Sequence, residues 1–234
     1  MVELGAGSGI LTAAIARRAA HVLAIEADPT LVGGLARRFV SAPGVTVLLA
    51  DAREAPLPAT PYRVLANLPF HVTAALLRRL LDDPGGGLER ADLVVQWQVA
   101  RARSRSSPGP PTDLLGASWG PWWEFRRGRR LPAHLFRPPP SVDAAMLVVT
   151  RRASPLLARE DADRYMSFVS RGFERSRIGP FVSNQAPKRN ARDTLRALDV
   201  KARAEARDLS IRQWVGLFRA VARSRGQAAA STRA

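Results

Sequence analysis

The sequence predicts an α/β fold with a doubly wound parallel sheet, followed by a small all-helical domain. Three observations support this prediction. The first 150 residues alternate short strand-like and helix-like segments, polar residues follow several strand ends, and a glycine-rich turn joins the first strand to the first helix. From about residue 153 the apolar residues recur at helical spacing instead. Doubly wound folds bind ligands at the carboxyl ends of their strands, so we expect the functional site there.

The predicted elements of the sheet follow one another in a regular order. Strands are predicted at residues 2–4, 21–25, 45–50, 62–66, 93–98 and 144–150. Helices are predicted between them at residues 10–20, 29–41 and 73–81. Asp28 and Pro29 open the second helix, because aspartate caps a helix amino terminus and proline fits its first turn.

The first predicted strand is short for the centre of a sheet. It has only three residues after Met1, whereas strands commonly have five or six. We therefore expect that the chain is an amino-terminally shortened form.

The second part of the chain has two amphipathic helix faces. They consist of Tyr165, Phe168, Val169 and Phe173, and of Ile211, Trp214, Val215, Phe218 and Val221. Ser210 and Gln213 have the spacing of a capping box. We predict a first domain at residues 1–152, a helical domain at 153–225 and a disordered tail at 226–234. Residues 101–118, rich in Arg, Ser, Pro and Gly, should form a flexible basic loop.

Composition narrows the possible functions. The 234-residue chain has no cysteine, which excludes disulfides, thiolate metal ligands and a cysteine nucleophile, and we predict no metal site. No apolar run has the length of a membrane span, and no basic amphipathic helix has bulky aromatic anchors, so we expect a cytoplasmic protein that does not bind membranes. We also expect a monomer. The net charge is +16, and residues 151–234 carry 19 basic and 8 acidic side chains. Such a surface attracts a polyanion, and we favour nucleic acid.

The glycine-rich turn Gly5-Ala6-Gly7-Ser8-Gly9 is a candidate cofactor loop. Its glycines let the backbone turn sharply and approach a ligand closely. Nicotinamide, flavin and S-adenosylmethionine binders all have such turns, and a purely structural turn is an alternative. The third glycine comes two residues after the second, which departs from the dinucleotide fingerprint and fits S-adenosylmethionine, a cofactor without pyrophosphate. Glu3 would add negative charge near its sulfonium. We assign Glu3, Gly5, Ala6, Gly7 and Gly9 to this site.

Carboxylates follow the next two predicted strands. Glu26 ends the second strand, 21 residues after Gly5, where it can accept hydrogen bonds from both hydroxyls of a ribose. Asp51 ends the third strand, where its carboxylate or a neighbouring amide can bind an adenine amine. Either acid alone would more often be a solvated strand end, but together with the glycine loop they indicate one pocket. Their neighbours Ala27 and Ala52 are assigned to the same pocket.

Asn67-Leu68-Pro69-Phe70 follows the fourth predicted strand. The lone pair of an exocyclic nucleobase amine is delocalised into the ring, so its methylation requires hydrogen-bond acceptors for the amine protons and a flat surface against the base. Asn67 can supply an acceptor at the edge of the cofactor pocket, and Phe70 the surface. An isolated match is at least as often a turn closed by proline. Here, however, it stands at a strand end beside the predicted cofactor loop.

In this context the sequence resembles the amino methyltransferases, and leucine before the single proline looks like the ribosomal RNA adenine dimethyltransferases. Residues 136–143, Phe-Arg-Pro-Pro-Pro-Ser-Val-Asp, are similar to the segment that this family places behind the target base. Residues 71–81, 96–100 and 122–125 look more like the erythromycin-resistance (Erm) branch than the small-subunit branch. The family's amino-terminal segment, which helps to close the cofactor site, has no match here.

The resemblance implies a Rossmann-like S-adenosylmethionine-dependent methyltransferase. Its substrate would be the exocyclic amine of one adenine in 23S rRNA, naked or in an assembling large subunit, and its effect resistance to macrolides, lincosamides and streptogramin B. Asn67 and the Leu68 carbonyl would bind the amine, Pro69 would fix the turn, and Phe70 and Phe136 would enclose the flipped base. The alternatives are a 16S rRNA dimethyltransferase, a DNA adenine or protein-glutamine methyltransferase, and a non-catalytic RNA-binding or ribosome-assembly factor.

Basic residues outside this site are candidates for RNA contacts. They lie in the basic loop, beside Phe136 and around the helix break at Gly179-Pro180. They are Arg101, Arg103, Arg105, Arg137, Arg175, Arg177, Lys188, Arg189 and Arg192. A merely solvated face is nearly as common for such a cluster. The charge also predicts that binding to RNA weakens steeply as salt rises.

Overall fold

The computed structural model describes residues 1–104, 113–185 and 188–231, without the side chains of 188, 189 and 225–231. These residues form one seven-stranded sheet and nine α-helices. The strands are β1 (Val2–Leu4), β2 (Val22–Glu26), β3 (Val45–Leu49), β4 (Tyr62–Asn67), β5 (Leu88–Gln96), β6 (Trp123–Leu131) and β7 (Ala144–Arg151). The helices are α1 (Ile10–Ala16), α2 (Pro29–Arg38), α3 (Thr73–Leu81), α4 (Trp97–Arg103), α5 (Leu114–Trp119), α6 (Ala162–Phe173), α7 (Ile178–Ser183), α8 (Lys188–Ala197) and α9 (Ile211–Ser231).

The strand order is β3-β2-β1-β4-β5-β7-β6, and the first five strands in this order are parallel. Strand β7 pairs antiparallel with β5. The chain runs from β1 outwards to β3 on one side and then returns to β4 on the other. The predicted doubly wound α/β fold is therefore confirmed. Its topological switch point lies between β1 and β4, where such sheets bind ligands.

Local sequence signals account for most of these elements. All three residues of β1 are buried, as expected for a central strand covered on both faces. Asp28 caps α2 by accepting a 2.8 Å hydrogen bond from the backbone N–H of Thr30, and Pro29 occupies the first helical position, as predicted. Helix α3 packs inward through Leu76, Leu77, Leu80 and Leu81.

Two parts of the sheet differ from the sequence prediction. Strand β5 begins at Leu88 rather than at residue 93, and Trp97 starts a helix. Charged residues obscure the beginning of this strand, where Arg90 and Asp92 form a 2.7 Å ion pair. Strand β6 was not predicted, because its arginines interrupt the apolar alternation that identifies a strand.

The chain divides into two compact units. The first comprises Met1–Arg101 and Glu124–Arg151, and the second Ala102–Trp123 and Arg152–Ala234. The segment 102–123, which we assigned to the first domain, thus belongs to the helical unit. Within that unit the Tyr165 hydroxyl donates a 3.1 Å hydrogen bond to the carbonyl of Ala117. Such contacts join residues far apart in sequence, so local patterns do not reveal them.

The predicted basic loop is helical in part. Arg101 and Arg103 belong to the end of α4, and residues 114–118 to α5. The aspartate Asp113 caps α5 by accepting a 2.8 Å hydrogen bond from the backbone N–H of Gly116. Residues 105–112 of the predicted loop lie outside the described residues.

The helical unit has an aromatic core. Tyr165, Phe168, Trp214 and Phe218 are buried and pack mostly edge to face. The capping box is present, since the backbone N–H of Gln213 donates to the Ser210 hydroxyl and the backbone N–H of Ser210 donates to the Gln213 side chain. None of the described helices is long and apolar enough to cross a bilayer.

The carboxyl-terminal end differs from the prediction of a tail at 226–234. Helix α9 continues to Ser231, so residues 226–231 of the predicted tail are assigned to a helix, and the bounds of the tail stay a prediction. Three consecutive alanines, at 228–230, favour helix continuation, because alanine has the highest helix propensity and each added residue adds a backbone hydrogen bond. Residues 232–234 lie outside the described part of the chain.

Candidate active site

The strand register brings the predicted site residues to one level at the switch point. Val2 pairs with Val64, so equal steps along these parallel strands place Gly5 level with Asn67. Leu4 pairs with Ile25 on the other side, which places Glu26 next to Gly5. The carboxyl ends of β1, β2 and β4 therefore present a glycine loop, a carboxylate and an amide along one edge of the sheet.

The glycine loop has a backbone that other residues rarely adopt. Gly5, Gly7 and Gly9 have φ angles of 73°, 57° and 78°. A Cβ atom at Gly7 would meet nothing within 4 Å, so this side of the loop is open. A Cβ atom at Gly9 would instead lie 2.6 Å from the side chain of Leu35. Gly9 thus permits the packing of α2, whereas Gly7 faces free space at the switch point.

Glu26 fastens the glycine loop to the end of β2. One carboxylate oxygen, Oε2, accepts a 2.7 Å hydrogen bond from the backbone N–H of Gly7. The other, Oε1, accepts hydrogen bonds from the N–H groups of Ala27 and Asp28 at 2.9 and 3.0 Å. An ionised carboxylate can accept about four hydrogen bonds, so one more donor can be accommodated. A ribose hydroxyl would share Glu26 with the loop.

Glu3 is a buried carboxylate, and one of its oxygens lacks a hydrogen-bond partner among the described residues. The residue is only 1% exposed, and its Oε2 atom has no hydrogen-bond partner among the described residues. Burial raises the pKa of Glu3 above its ordinary value of 4.5. A buried acceptor without a donor is costly, so its position beside the glycine loop suits a cationic ligand. The sulfonium and ammonium groups of S-adenosylmethionine have that charge.

Asp51 follows β3 and is bound by a residue that the sequence analysis did not identify. Arg53 donates from Nε to both carboxylate oxygens at 3.0 Å and from its backbone N–H to Oδ1 at 2.8 Å. These hydrogen bonds lower the pKa of Asp51 to about 2. The carboxylate is therefore ionised at neutral pH. Because Arg53 occupies it, a bound adenine would have to share Asp51 with the guanidinium or bind the backbone at Ala52.

The turn after β4 leaves two hydrogen-bond acceptors free. Asn67 is exposed, and within the described residues neither its amide group nor the Leu68 carbonyl has a hydrogen-bond partner. Leu68 itself is buried, and its N–H donates to Val94 at 3.1 Å. The Thr73 hydroxyl donates to the Pro69 carbonyl at 3.1 Å. These two hydrogen bonds, from the Leu68 N–H and to the Pro69 carbonyl, thus hold the turn.

Phe70 and Phe136 are both half-buried and lie in the same unit. Among the described ring pairs, these two rings do not contact each other. Asp143 holds the segment of Phe136, because its carboxylate accepts hydrogen bonds from the N–H of Ala133 at 3.0 Å and from Arg130 at 2.8 Å. These two donors lower the pKa of Asp143.

The basic residues predicted to contact RNA have different surroundings. Arg101 and Arg137 are exposed, as are Arg175, Arg177 and Arg192 in the helical unit. Arg103 is 8% exposed, pairs with Asp113 and lies 5.8 Å from the centre of the Trp119 ring. We therefore exclude Arg103 from RNA contact, because an internal ion pair occupies its guanidinium. Arg105 and the side chains of Lys188 and Arg189 lie outside the described part.

Two grooves of the helical unit are bordered by some of its exposed arginines. A groove of about 540 Å³ is bordered by Arg192 and Arg196, one turn apart on α8. Another, of about 630 Å³, is bordered by Arg175 and Arg207 together with Glu174 and Glu205. The first has two basic residues and no acidic one, so it suits a phosphate better.

Some residues that hold the predicted site residues in place were not identified from the sequence. Arg53 binds Asp51, Thr73 binds the Pro69 carbonyl and Asp143 holds the segment of Phe136, and none of the three was assigned to the site from the sequence. The four arginines of β6 were missed as well, although the run Arg126-Arg127-Gly128-Arg129-Arg130 is visible in the sequence. Its charge indicates a binding surface only once the run is placed on an exposed strand.

Comparison with known proteins relates this site to a family. The model of the family described as ribosomal RNA adenine dimethylase matches residues 1–223. A mycinamicin-resistance protein, MyrB of Micromonospora griseorubida, is 37% identical over 221 residues, which cover 94% of this chain and 69% of MyrB. An rRNA adenine N-6-methyltransferase of Corynebacterium diphtheriae is 37% identical over 169 residues, or 72% of this chain and 64% of the relative. The chain thus spans about two thirds of the length of these relatives.

The fold comparison agrees with the sequence comparison. The crystal structure of the 23S rRNA methyltransferase ErmE superposes with a TM-score of 0.82 at 30% identity. The match covers 94% of this chain and 90% of the ErmE chain. It therefore includes the sheet with its switch point and the helical unit.

Proposed function

The chain belongs to the ribosomal RNA adenine dimethylase family, and from this premise we propose that it methylates the exocyclic amine of one adenine in 23S rRNA with S-adenosylmethionine. The observation that carries the proposal is the turn after β4, where the Asn67 amide and the Leu68 carbonyl have no hydrogen-bond partner in the part of the chain that the structure describes. MyrB is named for mycinamicin resistance, and ErmE is named a 23S rRNA methyltransferase. These names favour the large-subunit target over 16S rRNA, with resistance to macrolides, lincosamides and streptogramin B as the result.

The first unit has residues that fit the cofactor. The unpaired, buried oxygen of Glu3 fits its positive charge, and the open side of Gly7 fits its close approach. Glu26 would accept a ribose hydroxyl, while Asp51 and the backbone at Ala52 would bind the adenine amine. When bound, S-adenosylmethionine supplies a methyl group on a sulfonium, which is an electrophilic carbon.

The chain's own residues would position and activate the amine. The Asn67 side-chain oxygen and the Leu68 carbonyl accept hydrogen bonds from the two amine protons, which localises the lone pair toward the methyl group. These hydrogen bonds become stronger as the nitrogen acquires positive charge, so they favour the transition state over the ground state. The methylated nitrogen is then a strong acid that loses its proton to water, so the turn needs no basic side chain.

The two phenylalanines would hold the base. An adenine reaches this turn only after it leaves its stack in the RNA. Stacking of a base on an aromatic side chain contributes about 1–3 kcal/mol, which offsets part of the unstacking cost. Phe70 would contact one face of the base, and Phe136, whose segment is held by Asp143, would contact the other. Ribosomal RNA, naked or in an assembling large subunit, places this reaction in the cytoplasm.

Transfer of a radioactive methyl group tests the proposal. Wild-type protein is incubated with labelled S-adenosylmethionine and unmodified 23S or 16S transcripts, and we expect label in adenine of 23S rRNA. Asn67→Ala should lower the rate roughly 10- to 150-fold, because it removes one hydrogen bond to a charged group, worth about 1.5–3 kcal/mol. Asn184→Ala is the matched control, since Asn184 is an equally exposed asparagine in the helical unit.

Each alternative predicts a different result. Label in 16S rRNA alone would indicate a small-subunit dimethyltransferase. Tight RNA binding without cofactor binding or label would indicate a non-catalytic RNA-binding factor, and label in DNA or protein a methyltransferase of another class. Equal rates for Asn67→Ala and wild type would contradict the role of the turn even if 23S rRNA is labelled.

A further inference from the structure

Strand β6 is an exposed, strongly basic edge of the sheet. It stands last in the strand order, and residues 126–130 are all exposed. Four of these five residues are arginines, Arg126, Arg127, Arg129 and Arg130. Among the described residues, the side chains of Arg126 and Arg129 have no hydrogen-bond or ion-pair partner. Two guanidinium groups are therefore free to bind a ligand.

Trp97 orders the other two arginines of this strand. The guanidinium of Arg127 lies 4.6 Å from the centre of the Trp97 ring, and that of Arg130 lies 4.9 Å from it. Cation–π contacts of this kind attract the guanidinium to the ring and restrict its motion. Less conformational entropy is then lost when the group binds a phosphate. Charged edge strands also discourage pairing with other chains, but that role requires no aromatic residue.

A short series of hydrogen bonds connects this surface to the candidate active site. The backbone N–H of Trp97 donates to the Asp143 carbonyl at 2.9 Å. The Asp143 carboxylate in turn accepts from Arg130 and from the backbone of Ala133, three residues before Phe136. Trp97 also directly follows β5, whose Val94 pairs with Asn67. The basic strand and both sides of the proposed base site thus belong to one compact unit.

We propose that β6 binds the RNA strand next to the target adenine, with Arg126, Arg127 and Arg129 on its phosphates. Arg130 instead acts as a positioning residue, since it is paired with Asp143 and holds the Phe136 segment. Arginine forms paired hydrogen bonds with phosphate and stacks on bases, and a row of arginines beside an aromatic ring suits an unpaired strand. This inference rests on the proposed function, because it locates the β6 contact relative to the flipped adenine.

The salt dependence of RNA binding tests the contacts. Affinities for a 23S transcript are measured over a range of salt concentrations for wild type and for the double variant Arg126→Ala/Arg129→Ala. Loss of two phosphate contacts should weaken binding and reduce the slope of log affinity against log salt by about 1.4–1.8. The matched control is Arg17→Ala/Arg18→Ala, which removes the same charge from exposed positions after α1, the helix that connects β1 to β2.

The control variant distinguishes a local contact between β6 and RNA from a general effect of the protein's net charge on RNA binding. An unchanged slope in the β6 variant, or equal losses in both variants, would overturn the proposal, and an acidic protein would then be the better candidate for this surface. Cofactor-induced thermal shifts should be the same in both variants and in wild type. A wild type that binds RNA but transfers no methyl group would contradict the proposed function, while the salt slopes would still decide whether β6 binds RNA.

A tethered cleavage probe tests the location. Because the chain has no cysteine, Arg126→Cys creates a single attachment point for an iron chelate that generates hydroxyl radicals. We expect cleavage of 23S rRNA around the adenine that carries the methyl label, and no cleavage there from a probe at Arg17→Cys. Cleavage by the Arg126→Cys probe no nearer to that adenine than by the control would overturn the placement.

Discussion

The carboxyl edge and the amino edge of the parallel sheet, where its strands end and begin, differ in whether their polar groups have hydrogen-bond partners. At the carboxyl edge, within the described residues, the Asn67 amide, the Leu68 carbonyl and one oxygen of Glu3 lack partners. At the amino edge, Arg151 donates hydrogen bonds to the carbonyls of Leu88, Pro84 and Gly86. An unpaired buried polar group costs about 1–3 kcal/mol.

This difference separates recognition from stability. The polar groups described at the amino edge form hydrogen bonds within the protein. Substitutions there should therefore lower the stability of the folded state and leave ligand binding intact. The carboxyl edge keeps acceptors open for groups that only a ligand supplies, so substitutions there should affect binding and catalysis more than folding. Three substitutions test this contrast.

The largest effect is expected at the amino edge. Arg151→Met leaves three backbone carbonyls without their donor, and at about 1 kcal/mol each the free energy of unfolding should fall by about 3 kcal/mol. Arg63→Met is the control, because Arg63 is exposed and its only described pair is a surface contact with Glu89. Chemical denaturation measures both. If folded Arg151→Met lost methyl transfer but kept its stability, the amino edge would contribute to function, which would contradict the proposed contrast.

A smaller effect, with the opposite sign for stability, is expected at Glu3. Its raised pKa means that the folded state favours the neutral carboxyl group, so its contribution to stability is complete below pH 4.5 and is lost as pH rises through the raised pKa. Glu3→Gln removes the buried charge and should stabilise the ligand-free protein by about 1 kcal/mol above that pKa.

The same substitution should weaken cofactor binding, because the cation loses its carboxylate. Thermal melting at several pH values, with and without S-adenosylmethionine, measures both changes. A variant that is less stable than wild type at high pH, yet binds the cofactor equally well, would show that Glu3 belongs to the core and not to the site.

The smallest effect is expected at Arg53. The pKa of Asp51 is about 2, below its ordinary 3.8, so its contribution to stability is present above pH 3.8 and is lost as pH falls through about 2. Arg53→Ala should move the Asp51 midpoint toward 3.8, which an NMR titration of the carboxyl carbon can follow. Since Asp51 remains ionised at neutral pH in both proteins, methyl transfer there should change little. A large loss would place Arg53 in direct contact with the cofactor or RNA.

Much of the candidate site was predictable because it consists of short motifs at strand ends. The glycine loop, Glu26 and Asn67-Leu68-Pro69-Phe70 are each contiguous in sequence, and the alternation of strands and helices implied that their strand ends share one edge. Strand β6 was not predictable from the apolar pattern, because its outward residues are arginines. Arg103 and Arg126 look alike in the sequence, yet one is buried against Asp113 and the other is exposed without a partner among the described residues.

The sequence by itself determined the doubly wound sheet, the glycine-rich turn after β1 and the turn after β4 that we propose binds the amine, since hydrophobic periods and turn residues act over a few positions. Only the tertiary structure decided which charged groups are free. Arg53 binds Asp51, Arg103 binds Asp113 and Arg130 binds Asp143, and the latter two pairs join residues from separate elements. The sequence shows the charge of a residue, but whether that charge can bind a ligand depends on the residues that the fold places beside it.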